Sequence, residues 1–127
     1  MQLIRANIAH FPTATKQPEQ DISIILDGGL VIDNGTIVAL APFDEVNASF
    51  PQASIVDHSG KWLVPGFIDS HLHYPQTQSI ASYGEQLLSW LENYTFPTER
   101  LFSETAHASD IAQVFLRQLL KNGTTTG

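Results

Sequence analysis

Two histidines stand one residue apart, His71 and His73, inside the stretch Pro65-Gly66-Phe67-Ile68-Asp69-Ser70-His71-Leu72-His73-Tyr74-Pro75-Gln76. In an extended strand alternate side chains leave the same face. His71 and His73 would then point together, with Leu72 opposite. Two converging imidazoles can hold one divalent metal ion. A bare His-x-His is more often a pair of packed or hydrogen-bonded rings than a metal site, and three features of the surroundings bear on this one. Phe67 to His71 is a short apolar run entered through Pro-Gly, so the pair lies at the C-terminal end of its strand. In barrels of parallel strands, active sites are built at that end. Asp69 and Ser70 flank the pair and can orient an imidazole from behind. Zinc-finger and H-E-x-x-H spacings do not occur.

Gln76 follows His73 by three residues, after Pro75 has stiffened the turn. Its amide offers a donor and an acceptor at once, which suits the edge of a heterocyclic base. A loop glutamine is far more often solvated surface. Trp90, Tyr94 and Phe96 read first as local core. Their functional alternative is a wall on which a flat ring stacks, worth about 1–3 kcal/mol. Tyr83 and Glu85 are weaker candidates, and His10, His58 and His107 read as structural or surface histidines.

The elements that must position these groups fall into two parts. Residues 1–64 read as a small, mostly antiparallel β-module. Leu3 to Ile8 alternates weakly, and Phe11 to Asp21, with two prolines, reads as a loop. Ile22 to Leu26 is a further strand candidate. Gly28–Asp33 and Thr36–Leu40 flank Asn34-Gly35, the strongest short hairpin signal, because a type I′ turn needs positive φ at both central residues. Pro42 to Ala53 reads as a loop with a helical turn around Phe43–Val46. Ile55–Asp57 and Lys61–Val64 flank Ser59-Gly60 and read as another strand pair. From residue 65 the pattern changes to a buried parallel strand over Phe67–His71. A long excursion to Ser103 follows. It contains one helical stretch, Glu85–Tyr94, with Leu87, Leu88, Leu91 and Tyr94 on one face, ended by Phe96-Pro97-Thr98. A second helix runs from about Glu104 to Lys121, with Ser103 as N-cap candidate. Its apolar stripe is Ala108, Ile111, Ala112, Phe115, Leu119 and Leu120, and Asn122-Gly123 signals its end. Thr124-Thr125-Thr126 opens a strand. Strand, excursion, helix and strand onset make the opening of a parallel βα unit.

Composition narrows the classes. The chain has 127 residues, 43% hydrophobic and 15% charged, which is globular rather than disordered. A net charge of −7 argues against nucleic acid and anionic membrane as partners. With no cysteine, a metal must be held by histidine and carboxylate, and a reducing compartment is compatible. Met1 to Asn7 lacks a basic region followed by an apolar run, so no signal peptide is expected. No apolar stretch approaches the roughly 20 residues a membrane span needs.

Pro65 to His73 (PGFIDSHLH) resembles the first barrel strand of the amidohydrolase superfamily, the metal-dependent (β/α)8 hydrolases. Within it, Tyr74-Pro75-Gln76-Thr77, Ala81–Leu88, Trp90-Leu91, Tyr94–Arg100 and Leu119–Thr126 resemble the guanine deaminase family. The resemblance implies an α/β fold: residues 1–64 as the N-terminal part of a β-sandwich module, and residues 65–127 as the start of a TIM-type barrel, truncated after the first βα unit. It further implies one zinc ion with His71 and His73 as ligands, and a base-contacting segment from His73 through Tyr74 and Pro75 to Gln76. The implied reaction is guanine and water to xanthine and ammonia through zinc-activated hydroxide, in purine catabolism or salvage. The implied full-length protein is a cytoplasmic homodimer. The family draws a further His, an Asp and a Glu acid/base from later strands, so these 127 residues alone are expected not to deaminate. Two other readings stand beside this one: a superfamily deaminase or chlorohydrolase for another amino-heterocycle, and a non-catalytic fragment.

Overall fold

A computed structural model describes residues 1–12, 21–84 and 86–127. The chain divides into two compact units, Met1–Pro65 and Gly66–Gly127.

The first unit holds strands β1 (Gln2–His10), β2 (Ser23–Asp33) and β3 (Thr36–Pro42), helix α1 (Phe43–Ser49) and strand β4 (Ser54–Leu63). Its sheet has the order β3-β2-β1-β4. The turn between β2 and β3 is the expected one: Asn34 and Gly35 both have positive φ, 49° and 79°. Ile22–Leu26 does not form a separate strand, because Ser23–Leu26 and the run through Asp33 are one continuous β2. The loop expected over 11–21 falls largely on 13–20, outside the described residues.

The expected strand pair around Ser59-Gly60 is instead a single bulged strand. β4 lies parallel to β1, pairing Arg5 with Asp57 and then Asn7 with Trp62. The sheet is mostly antiparallel, as expected, with β1–β2 and β2–β3 antiparallel, but the β1–β4 pairing makes it mixed. The turn chemistry is present but serves the bulge. Gly60 takes φ +78°, and Asp57 Oδ1 accepts hydrogen bonds from the Ser59 backbone N–H (2.7 Å) and hydroxyl. A local turn signal does not say whether the chain reverses or only kinks.

Both faces of this sheet are apolar. Leu3 and Val31, cross-strand partners, pack under Phe43 and Val46 of α1. Ala6, Ile8 and Leu30 gather with Ile4, Ile32, Leu40 and Leu63 on the alternate positions. Asp44 and Glu45 sit in the first turn of α1, where the helix dipole favours negative charge. Arg5 holds Asp27 through two hydrogen bonds, 2.7 and 2.8 Å, and its guanidinium lies 4.2 Å from the centre of the Phe43 ring.

The second unit opens with β5 (Phe67–Ile68), followed by a 3₁₀ turn (Tyr74–Ser79), α2 (Leu87–Trp90), a π-helical segment (Leu91–Thr95), α3 (Phe96–Arg100), a second 3₁₀ turn (Leu101–Ser103), α4 (Thr105–Lys121) and β6 (Thr124–Thr126). β5 and β6 pair in parallel, Phe67 with Thr124 and Ile68 with Thr126. This is the expected strand, helix, strand order. Proline does not end the middle helix. Pro97 sits in the first turn of α3, directly after the π segment. The i→i+5 pattern there loosens the ladder at the place where proline has no N–H to give. α4 begins one residue later than expected, with Glu104 as its N-cap and no side-chain cap hydrogen bond, so Ser103 does not cap it. Ser103 Oγ donates instead to the Arg100 carbonyl, 3.0 Å.

Candidate active site

The site grows out of the β5–β6 pairing. The Phe67 N–H donates to the Gly123 carbonyl (2.8 Å) and the Asp69 N–H to the Thr126 carbonyl (2.9 Å). Regular strand ends at Ile68, three residues before His71. The reason is Asp69, whose Oδ1 accepts the backbone N–H of His71 at 3.1 Å and curls the chain into an Asx turn. Asp69 thus acts on the backbone of the pair rather than on a ring.

The two imidazoles converge all the same. His71 Nε2 and His73 Nε2 are 2.7 Å apart, and the ring centroids 4.8 Å. One ring must donate and the other accept, so at least one Nε2 lone pair faces the gap. Both side chains are exposed, while Leu72 between them is half-buried against α4 and β6. Two histidines on one tetrahedral metal place their nitrogens about 3.3 Å apart, given metal–nitrogen distances near 2.0–2.1 Å. A small outward swing of either ring reaches that spacing. The pair fits a divalent metal as two of its ligands. Among the described residues, no group of three or more His, Cys, Asp or Glu gathers to hold a metal ion.

Beyond His73 the chain tightens into the 3₁₀ turn, with Pro75 in its first positions. The Gln76 N–H donates to the His73 carbonyl (3.0 Å), and Thr77 Oγ1 to the Tyr74 carbonyl (2.6 Å). Gln76 is thereby held beside His73, its Nε2 3.5 Å from His73 Nδ1. The same Nε2 donates to Glu99 Oε1 at 2.9 Å, from α3.

A cavity of about 270 Å³ opens here, lined by His73, Gln76, Ser79, Ile80, Trp90 and Phe115 among others. That is near the small end of ligand pockets. Trp90 is half-buried and fixed by donation from its Nε1 to the Ser82 carbonyl, 3.2 Å. Gly84 permits this, since a Cβ there would come within 2.6 Å of Trp90 Cβ. Of the residues expected to contact a base, His73 and Gln76 line the cavity and Tyr74 and Pro75 do not. The Tyr74 ring packs edge-on against Phe102 (5.3 Å) and near Phe115 (6.3 Å). Of the three aromatics, Trp90 lines the cavity, whereas Tyr94 and Phe96 are exposed outside it. Glu85 lies outside the described residues. His107 stacks edge-on with Phe102 (5.0 Å) and belongs to that packing. Glu99 is the participant that pattern reading missed. It lies 23 residues from its partner, and no local spacing connects them.

The profile of the amidohydrolase family matches residues 62–126, and that of the bacterial imidazolonepropionase-like composite domain matches residues 28–53. The chain is 38% identical over 130 residues to guanine deaminase from Escherichia coli (strain K12), covering 99% of this chain and 30% of that protein. The solved structure of E. coli guanine deaminase superposes with a TM-score of 0.89 at 34% identity, over 98% of this chain and 30% of the other. Guanine deaminase from C. acetobutylicum, solved with guanine bound in its active site, superposes at 0.76 with 27% identity, over 98% of this chain and 28% of the other. The chain thus spans about 30% of the length of the curated relatives it matches. Its fold is α/β and coincides with part of these amidohydrolase TIM barrels. With the profile covering 62–126, and so the histidine pair, Gln76 and Trp90, the chain belongs to the amidohydrolase family.

Proposed function

We propose that this chain is the N-terminal part of a guanine deaminase, and that it supplies half of the metal site and one edge of the base site. The observation that carries the reading is the convergence of His71 Nε2 and His73 Nε2 beside a cavity lined by Gln76 and Trp90. The likeness to guanine deaminases along nearly the whole chain supports it. On this reading β5 and β6 are the first two barrel strands, residues 1–64 are part of the β-sandwich module, and the metal is zinc.

Each residue has a task. His71 and His73 hold the ion through Nε2, which leaves each Nδ1 to carry its proton. When bound, zinc supplies a water that ionises near neutral pH. Gln76 hydrogen-bonds the edge of the ring, and the 3₁₀ turn that Tyr74 and Pro75 open keeps that amide at a fixed distance from His73. Trp90 gives the cavity an apolar wall that excludes water. The net reaction places the oxygen of water on the ring carbon that carries the amino group, and ammonia leaves. The remaining ligands and the acid/base group come from outside these residues. The whole protein is then a cytoplasmic homodimer serving purine breakdown or salvage.

The test is a panel of amino-heterocycles offered to the zinc-loaded full-length protein, with ammonia and the oxidised ring measured together. Stoichiometric xanthine and ammonia from guanine, lost on chelation and restored by zinc, is the expected result. Turnover of another aminopurine, a pterin, a triazine or cytosine in preference to guanine would overturn the substrate. Absence of turnover of any of them would overturn the enzyme.

A further inference from the structure

Gln76 enters the pocket with one of its two amide N–H groups already committed. Its Nε2 donates to Glu99 Oε1 at 2.9 Å, in a half-buried setting. An ionised carboxylate only accepts. The opposite amide rotamer would set the Gln76 carbonyl oxygen against the Glu99 oxygens at 2.9 Å, two acceptors facing each other, and would gain in return only a 3.5 Å approach to His73 Nδ1, at the outer limit of a hydrogen bond. Glu99 therefore decides which way the amide is turned. Among the described residues no donor pairs with Gln76 Oε1, and that oxygen can accept from a ligand.

The helix that brings Glu99 there is unusual. Between α2 and α3 the chain takes π-helical geometry over Leu91–Thr95. Such a segment admits an extra residue into the helix and turns everything after it by about 100° relative to an unbroken α-helix. Thr95, at its end, is 1% exposed, and its Oγ1 has no hydrogen-bond partner. A buried unpaired hydroxyl and a π segment both cost stability. The π segment sets the phase of α3, and Glu99 on that helix meets the 3₁₀ turn that carries Gln76.

We propose that Glu99 is a positioning residue, which locks the Gln76 amide with its NH₂ turned inward and its carbonyl oxygen presented to the ring. Gln76 then meets the ring with its carbonyl oxygen, an acceptor. It selects a heterocycle that offers an N–H at that edge, and disfavours one that offers a bare ring nitrogen. This deepens the guanine reading and rests on it, because the free base carries ring N–H groups.

Two measurements on the full-length protein test it. The first is a double-mutant cycle in kcat/KM for guanine, using Glu99→Gln and Gln76→Ala. A glutamine at 99 can both donate and accept, so it releases the choice of rotamer. Glu99→Gln alone should raise KM about tenfold, the loss of roughly one hydrogen bond, with kcat little changed. In the Gln76→Ala background the same substitution should do nothing further. A merely structural role for Glu99 would persist in that background, and equal effects in both would overturn the proposal.

The second measurement needs neither metal nor substrate. In a ¹H–¹⁵N spectrum, the Gln76 side-chain NH₂, assigned by its loss in Gln76→Ala, should lie downfield and shift upfield in Glu99→Gln. An unmoved resonance overturns the proposal. If that resonance shifts but the zinc-loaded wild type leaves guanine untouched, the guanine reading falls while the acceptor orientation stands.

Discussion

Gly66→Ala probes the strand pairing on which the histidine pair hangs. A Cβ built on Gly66 overlaps Oγ1 and Cγ2 of Thr125 and comes within 2.7 Å of Thr125 Cβ. Carbon atoms in ordinary contact stand about 3.5–4.0 Å apart. The φ of Gly66 lies outside the left-handed region, so alanine meets no backbone objection there, only Thr125. Rotating Thr125 cannot help, because χ1 leaves Cβ in place. The chains at 66 and 125 must separate by about 1 Å to restore contact distance. Separation on that scale stretches the hydrogen bonds from Phe67 to Gly123 (2.8 Å) and from Asp69 to Thr126 (2.9 Å) towards lengths at which neither is a bond.

Two lost backbone hydrogen bonds amount to about 1–3 kcal/mol. Overpacking of this kind costs a similar amount, about 1–3 kcal/mol. Both describe one event, so they are not summed, and the expected destabilisation is about 2–3 kcal/mol. Thr125→Gly removes every offending atom, at its own cost of roughly 0.5–1 kcal/mol for a glycine in a strand. The assay is urea unfolding of the wild type, both single variants and the double. The double variant should be more stable than Gly66→Ala alone, with a coupling of about 2 kcal/mol. A loss below about 0.5 kcal/mol in Gly66→Ala, or simple additivity in the double, would refute the reasoning.

Other expectations follow from single sites. Leu3 is fully buried beneath α1, and Leu3→Ala should lower the unfolding free energy by about 2–4 kcal/mol, read from the urea midpoint. Hydrogen bonds from Arg5 hold the Asp27 carboxyl below the usual carboxylate range, and the Ser59 hydroxyl and backbone N–H do the same for Asp57. A folded value below the unfolded one gives stability that is complete above about pH 5, about one unit above the unfolded carboxylate value, and is lost as pH falls through the lower folded values. The urea midpoint should therefore drop between roughly pH 5 and pH 2, less steeply in Asp27→Asn, and an unchanged slope would count against the Arg5 pairing. On the proposed reading of His71 and His73 as zinc ligands, His73→Ala in the full-length protein should weaken zinc binding by more than the roughly 10–100-fold that loss of an outer partner costs, as measured by chelator competition.

Much of the fold was legible in local pattern. Asn34-Gly35 announced its hairpin, because two positive φ values in succession suit few other dipeptides. Helix α4 followed from its 3.6-residue periodicity and the Asn122-Gly123 stop. The same reasoning failed where one local signal serves two geometries. Ser59-Gly60 can close a hairpin or bulge a strand, and only the partner strand decides. Pro97 can end a helix or begin one, and only the π segment before it shows which.

The candidate site divides in the same way. The sequence by itself determined the chemistry on offer: two imidazoles one residue apart, a glutamine three residues on, no thiols, and a resemblance that named the family. Those are properties of side chains and spacings, carried by a few adjacent residues. Tertiary structure decided how they meet. His71 and His73 converge through an Asx turn rather than along a strand, and Trp90 rather than Tyr94 or Phe96 walls the cavity. Glu99 reaches Gln76 because a π-helical segment redirects α3. A hydrogen bond between residues 23 positions apart depends on the path of all the chain between them, and no spacing rule encodes that path.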